Sequence, residues 1–271
     1  MILALVVDAA LGLSATVAPS AYTKPAQVVF HPLPTVYAYD HCPFCVRVRL
    51  AFGLKNIKHD VRFMANDDVE LPSSKVGKKI APIFEMAGTA PFAESLDIVN
   101  FIDSDPRFGP TGAFKPMSGR TDLKAWQKSV QEPLRKLQRP RYVKTVLPEF
   151  MFGDARDAFV KNHQLPPYEK AEWKDDTKFT MTTRWALYDS MMAQTPQLVA
   201  EVNQKLKELE PLIHCETCCT EGGLSLDDVD LWARLRSLTL VKGIDFPPTV
   251  RAYLDYFSKA GDVPLYDAIA L

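Results

Sequence analysis

From Thr35 onward, apolar and polar positions change rhythm in a way that divides the chain. Thr35-Val36-Tyr37-Ala38 has the composition of a short strand, and after a polar turn a helical pattern runs through Val48, Phe52 and Leu54 to end near Gly53 to Asn56. Pro43 sets the start of that helix, because proline costs nothing in the first turn, where its N–H would have no partner. His59 to Met64 alternates as a second strand, and Asn66-Asp67-Asp68 is a turn. Pro72 to Lys79 reads as a short helix or irregular crossover. Pro82 to Met86, the Gly88-Thr89 turn and Ala90 to Phe92 form a hairpin, and a last helix runs from Ser95 to about Ser104. This order, βαβαββα, builds one core with a crevice at the tip of the first helix.

Past Pro106 the texture changes. Residues 106–119 hold three Gly and three Pro, a linker composition, so the expected domains are 35–105 and 121–271, joined by 106–120. The second is all-helical by its period: Leu123, Trp126, Val130, Leu134 and Leu137 share one face, with a turn expected at Pro140. Apolar spacing resumes at Phe159 and continues through Trp185 to Met192 and from Leu198 to Leu209, as core rather than as a cofactor box. Gly223-Leu224-Ser225-Leu226-Asp227-Asp228-Val229 is a capping box. Asp228 reaches back to the Ser225 N–H, and Leu224 with Val229 close a hydrophobic staple.

At 271 residues with 47% hydrophobic and 24% charged positions, the chain has material for two folded domains. A formal net charge of −1 leaves no footprint for nucleic acid. The five cysteines occur as one pair and one distant triplet, which suits a reducing intracellular compartment better than a disulfide framework. Residues 1–34 form a separate leader. Met1 to Leu13 is apolar and the rest is rich in Ala, Ser, Thr and Pro, so it reads as a secretory or organelle-targeting segment (plastid or mitochondrion) or as a loosely docked tail. Asp8 and the lack of basic residues at its start weigh against a signal peptide. The leader is too short and too interrupted to read as a membrane span, and stable membrane association is not expected.

The chemistry concentrates in Cys42-Pro43-Phe44-Cys45. A helix beginning at Pro43 puts the Cys42 sulfur over unpaired N–H groups and the positive end of the macrodipole, which lowers its pKa from about 8.5 toward neutrality or below. Cys42 is the expected nucleophile. Cys45, one turn further in and less accessible, is the resolving thiol. The competing reading is half of a zinc site completed by Cys215, Cys218 and Cys219, although proline inside the motif argues against a zinc knuckle. Those three cysteines are otherwise expected as inert, exposed loop residues. In a thioredoxin-like sheet, Ala81-Pro82 is expected to be cis and to face the reactive cysteine. Glu94-Ser95 opens the last helix, Ser95 as its N-cap, and can also hold a carboxylate at Ser95 and an ammonium at Glu94. Lys75, Lys78 and Lys79 offer cations, or form a solvated basic face. His41 either supports the thiolate electrostatically or faces solvent in its turn.

Asp40 to Cys45, Phe52 to Ile57, Asn66 to Asp68, Val76 to Ile83 and Glu94 to Val99 together resemble the large two-domain glutaredoxin 2 class. Leu231 to Val241 adds to the resemblance, which extends from about Thr35 to the C-terminus and leaves the leader outside. It implies a thioredoxin-like α/β domain followed by an all-α domain, the glutathione S-transferase-like architecture. It also implies a glutathione-dependent oxidoreductase acting on protein disulfides or glutathione mixed disulfides. Glutathione is then a co-substrate rather than a permanent cofactor, disulfide-containing or glutathionylated proteins are the partners, and the chain is a monomer. The implied catalytic residues are Cys42 and Cys45. The implied glutathione contacts are His41, Pro43, Phe44, Lys78, Ala81, Pro82, Glu94 and Ser95. Phe44 stands where Tyr is commoner in the class, and Ala81 where Val is more usual. Rival readings are a glutathione transferase or dehydroascorbate reductase, a chloride-intracellular-channel-like protein, and a zinc-stabilised scaffold.

Overall fold

A computed structural model describes residues 22–271. The apolar start of the leader, Met1 to Leu13, lies outside them. Four strands, β1 (Thr35–Ala38), β2 (Asp60–Phe63), β3 (Ile83–Met86) and β4 (Thr89–Ala93), form one mixed sheet in the order β2-β1-β3-β4. β1 runs parallel to β2 and antiparallel to β3, and β3 pairs antiparallel with β4. Helices α1 (Pro43–Leu54), α2 (Glu70–Val76) and α3 (Ser95–Ser104) complete the βαβαββα order. β1 is short and wholly buried, as suits an inner strand covered on both faces.

The second half is helical: α4 (Thr121–Tyr142), α5 (Gly153–Asn162), α6 (Lys170–Trp173), α7 (Met181–Ala193), α8 (Thr195–Leu209), α9 (Leu226–Leu235) and α10 (Pro248–Gly261). α4 does not turn at Pro140 but carries both Pro133 and Pro140 within its length. Each proline forfeits a helical hydrogen bond. The buried face of Leu123, Trp126, Val130 and Leu137, packed on α7 and α8, holds the helix together across both. The expected capping box is present at the start of α9.

The two halves share one apolar core. α1 packs on α3 from its own half and on α9 and α10 from the other. Gly53 of α1 meets the backbone of Gly261 in α10 so closely that a Cβ on Gly53 would collide with the Gly261 carbonyl. Residues 106–120, expected as a linker between the halves, are threaded into this body. Phe108 and Phe114 are buried, and Lys115 pairs with the backbone on both sides of Ser225. Residues 22–34, grouped by sequence with the leader, also lie against the first half. Val28 bridges to Ile57, Tyr22 donates to the Leu54 carbonyl at 2.5 Å, and Phe30 packs on Phe108. Among the described residues no helix is long and apolar enough to cross a membrane.

Candidate active site

The turn Tyr39 to Cys42 delivers Cys42 to the N-cap of α1, with Pro43 at its first position. Cys42 is partly exposed and Cys45 is fully buried behind it. A hydrogen bond from the Cys45 thiol is the main influence on Cys42. With the charge of His41 and the backbone N–H groups of Phe44 and Cys45, it outweighs burial and brings the Cys42 pKa down to about 6. Burial, and then the neighbouring Cys42 sulfur, push Cys45 well above its usual value. The Tyr39 N–H also points at Cys45 Sγ, at 3.3 Å. The pair thus has one sulfur poised as a thiolate and one held as a thiol.

Cys42, Pro43 and Phe44 form one wall of a cleft of about 590 Å³ between the two halves. Lys79, Ile80 and Ala81 come from the loop before β3. The opposite wall comes from α4, with Arg135, Gln138, Arg139 and Tyr142, and from Phe159 of α5 with His163 just past its end. Arg234 also lines the cleft. Phe44 stands 47% exposed at the rim, with the Arg47 guanidinium 4.8 Å from its ring centre.

His41 does not face solvent. It is buried among Tyr142, Phe150 and Phe159, with its Nδ1 2.5 Å from Glu149 Oε1 and its own N–H donating to the same oxygen at 2.9 Å. Burial works against the Glu149 charge, and the His41 hydrogen bond overrides it, so this carboxyl is held below its ordinary range. The Glu149 carbonyl also accepts from the Asn66 N–H at 3.0 Å, so one residue of the helical half grips two loops of the other. Asp40, on the same turn, is held by Arg49 and by Arg236, whose Nη1 donates to the Asp40 carbonyl at 2.8 Å while Nη2 reaches its carboxylate at 3.2 Å.

The remaining expected contacts divide. The Ala81–Pro82 peptide is cis, and Ala81 reaches the cleft. Lys78 does not line the cleft but pairs with Glu94 at 3.6 Å, both side chains exposed, while the neighbouring Lys79 does line it. Lys75 is committed to Glu85 at 2.8 Å. Ser95 is not a cap: Glu94 is the N-cap, with a φ of 77°, and Ser95 is the first helical residue. Its hydroxyl accepts from Arg47 at 3.3 Å, since α1 lies directly alongside. Cys215, Cys218 and Cys219 are not an exposed trio, because Cys218 and Cys219 are buried. Among the described residues no group of three or more His, Cys, Asp or Glu is placed to hold a metal, so the two cysteine groups do not combine into one zinc site.

Glu149, Arg135, Arg139 and His163 belong to no sequence motif that marks them as site residues. Glu149 carried a faint signal, a lone acid among Leu147, Pro148 and Phe150. The arginines sit on the polar face of α4, where basic residues ordinarily mean solvent.

Fold and site define a class: a thioredoxin-like half with a Cys-x-x-Cys pair at a helix N-terminus, joined to an all-helical half in the glutathione S-transferase-like arrangement. Residues 36–110 match the glutathione S-transferase N-terminal domain family, and residues 122–270 match the glutaredoxin 2 C-terminal domain family. Glutaredoxin 2 of Escherichia coli (strain K12) is 32% identical over 237 residues, covering 87% of this chain and 99% of the relative. Among solved structures, glutaredoxin 2 from Salmonella typhimurium in complex with glutathione aligns with a TM-score of 0.75 and 29% identity, over 88% of this chain and 99% of that one. A glutathione S-transferase from Rhodospirillum rubrum F11, at 12% identity and a TM-score of 0.51 over 86% of this chain and 90% of its own, shares the fold alone. The chain belongs to the glutaredoxin 2 family.

Proposed function

We propose that the chain is a glutathione-dependent thiol–disulfide oxidoreductase that reduces glutathione mixed disulfides and protein disulfides through Cys42 and Cys45. The observation that carries this is a partly exposed Cys42 at the N-cap of α1, in front of a buried Cys45 and lining an interdomain cleft. The Cys42 thiolate attacks one sulfur of the substrate disulfide and the other leaves as a thiolate, which then takes up a proton. The mixed disulfide on Cys42 is resolved in one of two ways. A second glutathione thiolate attacks the glutathione sulfur and frees Cys42, or Cys45 gives up its proton, attacks Cys42 Sγ and expels the bound thiol. In the second case two glutathione molecules later reduce the Cys42–Cys45 disulfide and leave as glutathione disulfide.

Glutathione carries two carboxylates, and the cleft offers Lys79, Arg135, Arg139 and Arg234 as cations to receive them. Ser95 N–H and Glu94 remain the proposed contacts for the γ-glutamyl end. Glu94 keeps a backbone conformation that costs a non-glycine residue on the order of 1–3 kcal/mol and is commonest at ligand clamps. The relative solved with glutathione supports the same ligand here.

The test is turnover of a glutathionylated peptide. Cys42→Ser is expected to lower it on the order of a thousand-fold or more, because no other group in the cleft supplies a sulfur nucleophile. Cys45→Ser is expected to keep turnover of the glutathionylated peptide and to lose reduction of a protein disulfide. Retained turnover in Cys42→Ser overturns the assignment.

A further inference from the structure

A second pair of sulfurs lies in the connection between α8 and α9, away from the cleft. Cys215-Glu216-Thr217-Cys218 folds into a tight turn closed from both sides. The Cys215 N–H donates to the Cys218 carbonyl at 2.9 Å, and the Cys218 N–H to the Cys215 carbonyl at 3.3 Å. This pairing sets the two residues opposite each other as an antiparallel bridge and brings Sγ to within 3.2 Å of Sγ. A disulfide needs about 2.05 Å between sulfurs, and residues opposite each other in a hydrogen-bonded antiparallel pair have Cα atoms about 5.5 Å apart, within the span a disulfide bridges. Asp228 of the capping box accepts from the Cys219 N–H at 2.6 Å, and Arg120 donates to the carbonyls of Leu212 and Cys219, each at 2.7 Å, so the turn is braced on both flanks.

The two thiols are unequal. Cys215 is partly exposed, with the Thr217 hydroxyl 3.3 Å from its sulfur, whereas Cys218 is 1% exposed. Burial opposes ionisation of Cys215, but the Thr217 hydroxyl and the Cys218 thiol outweigh it and leave its pKa below the ordinary thiol value. Burial and the facing sulfur push Cys218 up to about 12. An outer sulfur disposed to ionise in front of an inner one held as a thiol is also the arrangement at Cys42 and Cys45. Cys219 does not belong to the pair, because burial and the Asp228 carboxylate beside it hold its thiol protonated.

We propose that Cys215 and Cys218 are a second redox-active dithiol, closing to an intramolecular disulfide by exchange with a small-molecule disulfide of the glutathione disulfide type. The Cys215 thiolate attacks one sulfur of glutathione disulfide, forming a mixed disulfide and releasing one glutathione thiolate. Cys218 then gives up its proton and attacks Cys215 Sγ, and the second glutathione thiolate leaves. The dithiol loses two electrons and two protons, and two molecules of glutathione gain them. The site does not rest on the reading of the cleft.

The experiment uses the full chain carrying Cys42→Ser and Cys45→Ser, so failure of either proposal leaves the other standing. Three thiols then remain of the five cysteines. Exposure to glutathione disulfide, thiol titration and non-reducing peptide mapping are expected to show two thiols lost and a Cys215–Cys218 linkage that reduced glutathione reopens. Adding Cys218→Ser is expected to stop the reaction at a glutathione adduct on Cys215. Peptide mapping of the unsubstituted protein gives the same readout where a variant folds poorly. Three unchanged thiols, a lasting adduct on Cys215 with Cys218 intact, or a linkage involving Cys219 overturns the proposal.

Discussion

At the scale of single residues, the proposed chemistry hangs on the state of one sulfur. Cys42 reaches a pKa of about 6 chiefly because the Cys45 thiol donates to it, with His41 and the start of α1 adding to that effect. The rate of Cys42 alkylation by iodoacetamide is therefore expected to rise through pH 6 and level off by about pH 7. Cys45→Ala removes the donor and should move the midpoint toward the free-thiol value of about 8.5. A midpoint near that value in the unsubstituted protein would sink the electrostatic account. Cys42, Pro43 and Cys45 were legible in the sequence because adjacent residues and the start of a helix set their relation. Glu149 was not, since its grip on His41 spans 108 positions and nothing local marks it. Lys78 and Lys79 show the limit of neighbouring reasoning: the resemblance implies Lys78 as a glutathione contact, whereas the path of the loop places the adjacent Lys79 at the cleft.

At the scale of elements, local patterns were readable where local forces decide and misleading where packing does. The capping box needed only Ser225, Asp228 and their spacing. Its Asp228 also accepts from the Cys219 N–H and the Tyr253 hydroxyl, which no local rule anticipates. Ser225→Ala is expected to cost about 1 kcal/mol in denaturant unfolding while leaving activity per folded molecule unchanged. Unaltered unfolding would show that the box contributes nothing. Pro140 misled because a proline breaks an isolated helix, whereas α4 is held by a buried face spanning both prolines. Gly53 ended the helical pattern in the sequence and proves to be a contact point between helices. Gly53→Ala pushes a methyl group into the Gly261 backbone, where no side chain can swing away. The expected loss is about 3 kcal/mol or more, the upper end of overpacking. A loss under about 0.5 kcal/mol would mean that α1 and α10 separate at almost no cost.

At the scale of the whole molecule, the two halves are joined by buried charges as well as by a common core, and this seam holds the turn that precedes Cys42. Asp40 meets Arg236, His41 meets Glu149, and Arg47 of α1 meets Asp230 of α9. Burial disfavours each of these three carboxylates. Arg236 with Arg49 at Asp40, His41 at Glu149, and Arg47 with Arg234 at Asp230 all outweigh it and hold the acids below their ordinary values. A folded pKa below the unfolded one contributes stability that is complete above the unfolded range of about 3.9–4.3. That contribution is lost as pH falls through the lowered folded values. Asp228 acts in the opposite sense, since burial raises it and protonation on acidification favours its folded form. Three seam acids against one capping acid predict a net fall in Tm as pH drops below about 4. Asp230→Asn leaves the Arg47 charge without its partner, which should cost roughly 3 kcal/mol at neutral pH. The variant should also show a shallower fall in Tm with acid than the unsubstituted protein, because one of the titrating carboxylates is gone. Calorimetric scans from pH 7 to pH 3 read both effects. Parallel Tm curves for the two proteins would mean that Asp230 titrates alike in the folded and unfolded chain, and that its pairing with Arg47 does not hold the seam.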